Sequence, residues 1–426
     1  MIGIQGGGGM GTAPRQGWTP VTTYTLANAD IVSNGKVRSR SSISVKGKKL
    51  SATPGRGPSV DLGGSSYVYP ALINAHDHLR GNYLPRVGPK DDNFYLNWGP
   101  WDNDLKSSPV YVERANINIE QQYFLSAYKN LFSGVATVND HFPHEINDPF
   151  IPRMPIRVIK EYALAHECSS FDLKWGDGIE VEHERAVKRN WPFITHLEEG
   201  FDVESQDGVG ILEKLRCLDS HDLFIHCIGF SDDDIARTAK AGASVAWCPG
   251  SNKFMFNVTC KIRKLLKAGV NVAIGTDSTA TGTVNILAEM KYGREVYRSM
   301  YGEELPARTL FDMVTINPAR AFRMEDRIGT LDAGKAADVL VGKARHADPY
   351  ENLAALRMED IELLTVDGVP VLAEERFAEL LPDDSYETVV VDDRKIYVRG
   401  APLTLYRSIK KAVGFDKRLE FMPFEC

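Results

Sequence analysis

The chain has 426 residues, of which 43% are hydrophobic and 25% charged, and its formal net charge at pH 7 is −7. This length and composition are typical of a globular protein with one large domain and a smaller unit. The negative charge, without any basic run, argues against nucleic-acid binding, and no apolar stretch approaches the roughly 18 residues that a membrane span needs.

The cysteines and the N-terminal region bear on the cellular compartment. The six cysteines, at positions 168, 217, 227, 248, 260 and 426, lack the spacing of a disulfide framework, and several lie in apolar runs as reduced core thiols do. Residues 1–18 are rich in glycine and lack the basic and apolar regions of a secretory signal. We therefore expect a disordered Gly-rich N-terminus and a cytoplasmic location.

The next region is predicted to be a small antiparallel β unit. Short β-prone runs between residues 21 and 61 are separated by the turn sequences Asn34-Gly35 and Lys46-Gly47. Short strands return beyond residue 334, at 337–342, 361–371 and 387–391, with a hairpin turn at Asp367-Gly368. Neither end is large enough to fold alone, so we expect residues 19–66 and 334–426 to form one composite β-sandwich.

Between these regions the chain repeats a strand–helix pattern. Strands are predicted at residues 67–78, 134–141, 155–160, 193–196, 223–227, 243–248 and 270–277, with a fourth strand hidden between 163 and 191, near Phe171–Lys174. Such repeats favour a closed (β/α)8 TIM-type barrel over residues 67–333. A doubly wound open sheet is the alternative, but no Gly-rich fingerprint follows an early strand.

Histidine and aspartate side chains are predicted at the carboxyl ends of these strands, where parallel barrels build their active sites. His76 and His78 share one face of their strand because side chains alternate, and Asp77 points the other way. Together with His196 and Asp277 they have the composition of a catalytic site for Zn²⁺ or Fe²⁺, with zinc the expected ion. Such an ion would provide hydroxide at neutral pH.

The remaining polar and aromatic residues are assigned as follows. Glu199, three residues past His196, is the candidate proton shuttle, and Glu198 is the alternative carboxylate for this role. His141 and His144 are expected to be structural, and the expected surface or helix histidines are His166, His183, His221 and His346. The aromatic residues that could line a pocket for a flat heterocycle, or pack a lid instead, are Tyr83, Trp98 and Trp101.

Six motifs in order give a resemblance to a known family. They are Tyr69-Pro-Ala-Leu-Ile-Asn-Ala-His-Asp-His78, Gly134-Val-Ala-Thr-Val138, His196-Leu-Glu-Glu199, Ile225-His226, Trp247-Cys-Pro-Gly-Ser-Asn252 and Gly275-Thr-Asp-Ser278. The series resembles the amidohydrolase superfamily, and within it the cytosine deaminase, guanine deaminase and chlorohydrolase group. The resemblance extends over roughly residues 60–371.

The resemblance implies roles for individual residues. His76, His78, His196 and Asp277 match four ligands of a single metal ion, and Asp277 also matches the base that takes a proton from the attacking water. Glu199 matches the acid that protonates the ring and the leaving group, and His226 the histidine that orients the water. Arg80 matches the family's loop after the two histidines. The rest of that loop departs from the family pattern, so the resemblance does not identify the substrate.

The expected function is that of a metal-dependent amidohydrolase. A metal-activated water would attack an sp² carbon and cleave a C–N bond, as in hydrolytic deamination of an amino-substituted N-heterocycle. The alternative is a binuclear amidohydrolase acting on a cyclic amide or peptide-like bond, which would need a carboxylated lysine, for which Lys174 is the visible candidate, or a glutamate on the fourth strand. The partner is expected to be a small molecule, without nucleic acid or membrane, and the resemblance implies a homo-oligomer, a dimer or larger.

Overall fold

The computed structural model describes residues 23–89 and 93–424. The predicted disordered segment 1–18 lies outside the described residues. The strands near the two chain ends are β1 (Thr23–Ser33), β2 (Lys36–Lys46), β3 (Lys49–Ser51), β4 (Ser59–Asp61) and β5 (Ser66–Pro70), and further along β14 (Val339–Lys343), β15 (Ile361–Val366), β16 (Val369–Glu374), β17 (Tyr386–Val391) and β18 (Arg394–Arg399). The central strands are β6 (Leu72–Asp77), β7 (Val135–Asp140), β8 (Arg157–Val158), β9 (Ala163–Glu167), β10 (Phe193–Leu197), β11 (Asp222–His226), β12 (Ser244–Trp247) and β13 (Asn271–Ile274).

Helices separate most of the central strands, and one helix follows the last strand. They are α1 (Trp98–Ser107), α2 (Pro109–Arg114), α3 (Ile119–Phe132), α4 (His144–Asn147), α5 (Ile179–Arg189), α6 (Gly208–Leu215), α7 (Asp232–Ala241), α8 (Pro249–Phe256), α9 (Ile262–Lys267), α10 (Ile286–Tyr301), α11 (Ala307–Met313), α12 (Ile316–Ala321), α13 (Pro349–Ala355) and α14 (Pro402–Val413). Short 3-10 turns lie at Leu79–Gly81, Ile151–Arg153, Met358–Asp360 and Glu375–Leu380. Among the described residues, none of these helices combines the length and the apolar composition needed to cross a bilayer.

The strands from both ends of the chain pair in one ten-stranded sheet. Its order is β17-β18-β16-β15-β14-β5-β1-β2-β3, and β4 pairs with β1. The turn at Asn34-Gly35 connects β1 to β2, and the turn at Asp367-Gly368 connects β15 to β16. Both residues of each turn adopt the left-handed backbone conformation that tight hairpins require. The two-layer sandwich and the domain boundaries 19–66 plus 334–426 stay predictions.

The predicted strand over residues 67–78 is in fact two strands. β5 pairs antiparallel with β14, whereas β6 pairs parallel with β7. The change of partner falls after Pro70: the Ala71 amide donates to the Asp338 carbonyl, and the Leu72 amide donates to the Gly134 carbonyl. One apolar run thus contributes strands to two different sheets. The hydrophobic pattern alone does not show where the first strand ends and the second begins.

The eight central strands form two parallel sheets, of three strands in the order β6-β7-β8 and of five in the order β13-β12-β11-β10-β9. Their side chains are buried on both faces, as is usual when helices cover a parallel sheet. Ile73, Ile194 and Ile225 belong to one apolar cluster, whereas Leu72, Phe193 and Phe224, their neighbours in sequence, belong to another that includes helix residues. An α/β fold with parallel sheets is therefore observed, and closure of the barrel stays a prediction.

The fourth parallel strand lies where the sequence did not indicate it. It is β9, at the beginning of the expected interval, and residues 171–174 form a loop. β9 pairs with β10 through Ala163 and Phe193. β9 has only five residues, and the last two are the polar His166 and Glu167. The apolar run is therefore too short to be recognised in the sequence, unlike the runs of the other strands.

A fully buried ion pair lies beneath β6. Lys129 on α3 and Asp77 on β6 are 3.1 Å apart, and neither side chain is exposed. Lys129 Nζ also donates to Asn82 Oδ1 at 2.8 Å and to Thr276 Oγ1 at 3.2 Å. The pair therefore ties α3, the end of β6 and the segment after β13 together. A buried charge left without its partner is strongly destabilising.

We predict that Lys129→Met lowers the free energy of unfolding by about 3–5 kcal/mol, because it leaves the Asp77 carboxylate buried without its cation. The double variant Lys129→Met/Asp77→Asn removes both charges and should be more stable than the Lys129→Met single variant. Urea unfolding followed by circular dichroism measures both effects. A single variant as stable as the wild type, or a double variant that is the less stable of the two, would contradict this account.

Candidate functional site

Six ionisable side chains converge at the carboxyl ends of the parallel strands β6, β10, β11 and β13. Potential ligand atoms lie within 4.8 Å of one another in three overlapping groups: His76, His78 and His196; His76, His226 and Asp277; and His196, Glu199 and His226. The fold thus brings together all the residues that were predicted from the sequence as metal ligands or catalytic groups. They come from segments up to 200 residues apart, joined only by the arrangement of the strands.

His76 lies at the centre of this cluster. It is fully buried, and neither of its ring nitrogens has a hydrogen-bond partner among the described residues. Burial, and then the nearby His78 and His141, lowers the pKa of His76 well below its ordinary value, so the ring is neutral. An unpaired buried imidazole is costly, and a divalent cation satisfies its lone pair. The donor set around His76 therefore fits such an ion.

The other two buried imidazoles are oriented by hydrogen bonds to their Nδ1 atoms. His196 Nδ1 lies 2.8 Å from the carbonyl oxygen of His166, and His226 Nδ1 lies 2.8 Å from Oδ1 of Asn252. Since both acceptors are oxygens, each Nδ1 carries the proton and each Nε2 presents its lone pair to the cluster. Asn252 belongs to the Trp247–Asn252 motif, whose positioning role the sequence analysis did not recognise.

Asp277 is held as a carboxylate by its surroundings. It adopts a left-handed backbone conformation, and its Oδ1 lies 3.8 Å from His78 Nε2. The hydroxyls of Ser251 and Thr281 each donate to Oδ2 at 2.8 Å. Burial alone would raise the pKa of Asp277, but His78, His226 and these hydrogen bonds outweigh it and hold the pKa below the ordinary value.

Glu199 has the opposite character. It is buried beyond the end of β10, and its Oε1 lies 3.5 Å from His226 Nε2. Burial, reinforced by Asp277 and Glu167, raises the pKa of Glu199 well above its ordinary value. The protonated form of Glu199 is therefore favoured, and this form can donate a proton. Two carboxyl groups of one site, with pKa values shifted in opposite directions, are the usual arrangement of an acid and a base.

Glu198, the rival carboxylate, lies outside the cluster. Its Oε1 accepts a hydrogen bond from the Val209 amide at 3.2 Å, and it belongs to none of the groups of potential metal ligands found among the described residues. Burial, and then Asp234, raises the pKa of Glu198 to about 8. Its contacts join the end of β10 to α6.

A cavity of about 310 Å³ opens beside His78. Three of the predicted substrate-binding residues, Arg80, Trp98 and Trp101, line it. Tyr83 does not line it: its hydroxyl donates to Glu113, and its side chain borders a neighbouring cavity behind Leu84. Aromatic lining residues that the sequence analysis did not identify are Tyr111, Phe142 and Trp175.

The prediction that His166 is a surface or helix residue is wrong. It lies on β9, only 6% exposed, and its ring lines the cavity at 4.6 Å from the Trp175 ring centroid. His141 is also buried and packs 4.6 Å from the His196 ring centroid, while its Nε2 lies 3.0 Å from the Ala165 carbonyl oxygen. The strand-end position of His141 was legible in the sequence, whereas that of His166 was hidden with its strand.

The lysine that a binuclear site would need is not part of the cluster. The Lys174 side chain is 79% exposed and pairs with Asp172 at 3.2 Å, so it cannot bridge two metal ions in the cluster. A glutamate does end the fourth strand, but Oε2 of Glu167 accepts a hydrogen bond from Trp98 Nε1 at 2.7 Å. Among the described residues, Glu167 belongs to none of the groups of potential metal ligands.

Comparison with known proteins gives consistent results. The sequence profile of the Amidohydrolase family matches residues 181–396. A 5-methylthioadenosine/S-adenosylhomocysteine deaminase of Moorella thermoacetica is 32% identical over 44% of this chain, and the chain covers 47% of that relative, about half its length. The enzyme of the same name from Syntrophobacter fumaroxidans is 30% identical over 78% of this chain and 85% of the relative.

Solved structures share the fold. An atrazine chlorohydrolase from Arthrobacter aurescens TC1, complexed with zinc, superimposes with a TM-score of 0.71 at 17% identity, covering 92% of this chain and 100% of that one. The profile match over about half the chain and the long alignment at 30% identity agree with the resemblance read from the six motifs. This chain therefore belongs to the amidohydrolase family.

Proposed function

We propose that this protein is a metal-dependent hydrolase that deaminates an amino-substituted N-heterocycle. The observation that carries the proposal is the convergence of three buried imidazoles and one partly exposed imidazole with two carboxyl groups whose pKa values are shifted in opposite directions. The relatives named as deaminases support the reaction class.

His76, His78, His196 and Asp277 would hold a single divalent metal ion, for which zinc is the best candidate because a solved neighbour is complexed with zinc. When bound, such an ion supplies Lewis acidity that brings the pKa of a coordinated water to about 7. The neutral state of His76 and His196 suits them to this role, since only an unprotonated imidazole can bind a metal.

The chain's own residues move the protons. Asp277, ionised, accepts a proton from the attacking water as the oxygen bonds to the sp² carbon. Glu199, protonated, donates to the ring nitrogen of the substrate, which lowers the cost of the charge that develops there. His226 Nε2, with Nδ1 fixed by Asn252, accepts a hydrogen bond from the water and orients it. The proton taken up by Asp277 then passes to the amino group, which leaves as ammonia, and the remaining hydroxyl proton returns to Glu199 as the carbonyl forms.

The lining of the cavity supports a flat substrate. Trp98, Trp101 and Trp175 border it, and aromatic faces stack well on planar heterocycles. A volume of about 310 Å³ falls at the lower end of the range for small-molecule sites. A single-ring or fused-ring compound fits this description better than a peptide.

The scaffold proposed for this site is a closed eight-stranded barrel within residues 67–333. Hydrogen bonds from the Thr276 and Asp277 amides to the His76 carbonyl, at 2.9 and 3.1 Å, support it because they link the segment after β13 to β6. Chain ends 19–66 and 334–426 would then form the accompanying β-sandwich, and a homo-oligomer, a dimer or larger, stays the prediction that the resemblance implied.

The proposal is tested by assaying ammonia release from a panel of aminated purines, pyrimidines, pterins and triazines. We expect at least one member to be deaminated by the wild type. The variants His76→Ala and Asp277→Ala should lose both activity and bound metal while keeping the wild-type circular dichroism spectrum. Full activity in either variant, or no ammonia from any class in the panel, would contradict the proposal.

A second prediction separates the two neighbouring glutamates. Glu199→Gln should lower kcat at pH 7 by about 100-fold or more, because the proton donor is lost. Glu198→Gln should keep kcat within about threefold, since it lies outside the cluster. Steady-state kinetics on the best substrate of the panel decides between them, and a larger loss for Glu198→Gln would reverse the assignment.

The pKa of Glu198 also predicts a change in stability. Its folded value of about 8 exceeds the unfolded value of 4.5, so the folded state holds the extra proton between these pH values and stability falls as pH rises through them. Glu198→Gln removes this contribution. Thermal unfolding from pH 5 to pH 9 should therefore decline less steeply in Glu198→Gln than in the wild type.

A further inference from the structure

The cavity beside His78 carries an excess of positive charge. Its charged lining residues other than histidine are Arg80, Arg114, Lys106 and Asp102. Lys106 and Asp102 neutralise each other, with Nζ and Oδ2 2.5 Å apart. The remaining positive charges of the lining are those of Arg80 and Arg114, and both side chains are only partly exposed.

Within the part of the chain that the structure describes, neither arginine has an anionic partner. Among residues 23–89 and 93–424, no carboxylate forms an ion pair with the guanidinium of Arg80 or Arg114. Arg80 Nε is buried and lacks any hydrogen-bond partner among these residues. Arg114 Nη1 donates to the backbone carbonyl of Arg80 at 3.2 Å. Glu113, next to Arg114 in sequence, instead pairs with Lys417 at 2.7 Å.

The two guanidinium groups rest on aromatic rings rather than on acids. The Cζ of Arg80 lies 5.4 Å from the Phe142 ring centroid, and the Cζ of Arg114 lies 4.3 Å from the Tyr111 ring centroid. Stacking of this kind holds a guanidinium in place and leaves its N–H edge available. Burial lowers the pKa of Arg114; the Tyr111 hydroxyl opposes this change, and the charge of Arg80 adds to it.

A structural role alone does not account for this pair. Arg114 does bind the loop that follows His78, but a neutral donor would serve that purpose without adding a second positive charge beside Arg80. Two like charges in a partly desolvated cavity repel each other, and an anion between them relieves the repulsion. Guanidinium groups are the residues of choice for carboxylate and phosphate, which they bind through paired hydrogen bonds.

We propose that Arg80 and Arg114 form a subsite for an anionic group, so that the substrate is an amino-substituted heterocycle carrying a carboxylate or a phosphate. The aromatic residues of the cavity bind the ring, and the arginines bind the anion beside the tryptophans. This inference rests on the proposed function for the reaction but concerns binding, so it can be tested separately.

Calorimetry of the purified protein with the metal that it carries provides that test. The ligands are pyrimidines without the exocyclic amine, bearing a carboxylate or a phosphonate on a linker of none to three methylene groups. Each is compared with its neutral carboxamide or dimethyl phosphonate. The best anionic ligand should bind about 10- to 100-fold more tightly than its neutral partner, as expected for charge-assisted hydrogen bonds. The two series reveal whether the anion is a carboxylate or a phosphate.

Three variants assign the preference to the arginines. Arg114→Met and Arg80→Met should each reduce the anionic-to-neutral affinity ratio at least tenfold, while changing the affinity for the neutral ligand less than threefold. Arg86→Met is the matched control: Arg86 belongs to the same loop, donates to the Gly282 carbonyl at 2.8 Å and stacks on Phe254, but borders the neighbouring cavity. It should leave the ratio unchanged.

The proposal is overturned if anionic and neutral ligands bind equally to the wild type, or if none of the anionic ligands binds at millimolar concentration. It is also overturned if the anionic preference survives in both Arg80→Met and Arg114→Met, which would assign the anion to the metal or to another cation. Failure of the deaminase assignment would look different, because ammonia would not be released from amino-substituted ligands that nevertheless bind.

Discussion

Four imidazole rings are packed together at the carboxyl ends of the parallel strands, and burial lowers the pKa values of three of them, those of His76, His196 and His226. The ring centroids of His78, His196 and His226 lie 4.7, 5.2 and 5.7 Å from that of His76. Burial of so many lone pairs without protein donors is unfavourable unless a cation is shared between them. Hydrogen bonds to Nδ1 of His196 and of His226 orient these two rings toward the cluster, and the donor set of the cluster fits a divalent cation.

The supporting contacts explain how one fold provides an acid and a base side by side. Asp277 accepts hydrogen bonds from the hydroxyls of Ser251 and Thr281 and from the backbone amide of Ser278. These bonds stabilise its carboxylate. Glu199 is buried, receives no such donors from the described residues and faces other acids, so the neutral form is favoured. Beneath them, the buried Lys129–Asp77 pair links α3 to β6. The proposed reaction depends on the opposite pKa shifts of these two carboxyl groups. The shifts follow from the charged neighbours and the hydrogen-bond partners of each group.

Much of the site could be predicted because its residues follow apolar strands in a recognisable order. His76, His78, His196 and Asp277 were identifiable from strand ends and motifs, and two strand pairs near the termini, β1–β2 and β15–β16, from their Asn-Gly and Asp-Gly turns. The fourth strand was misplaced because its short run ends in polar residues. Tyr83 borders a neighbouring cavity rather than the one beside His78, and the sequence could not decide this because loop geometry determines which cavity a side chain faces. Lys129 could not be recognised, since a lysine on an amphipathic helix normally faces solvent.

The central claim is that this chain holds one divalent metal ion through histidines that include His76. X-ray absorption spectroscopy of the zinc-loaded protein, combined with metal analysis, tests it most directly. The account predicts one zinc ion per chain, nitrogen and oxygen ligands, and a multiple-scattering signal corresponding to three imidazoles, with that signal lost in His76→Ala. Two metal ions per chain, sulfur ligands, or an unchanged spectrum in His76→Ala would contradict it.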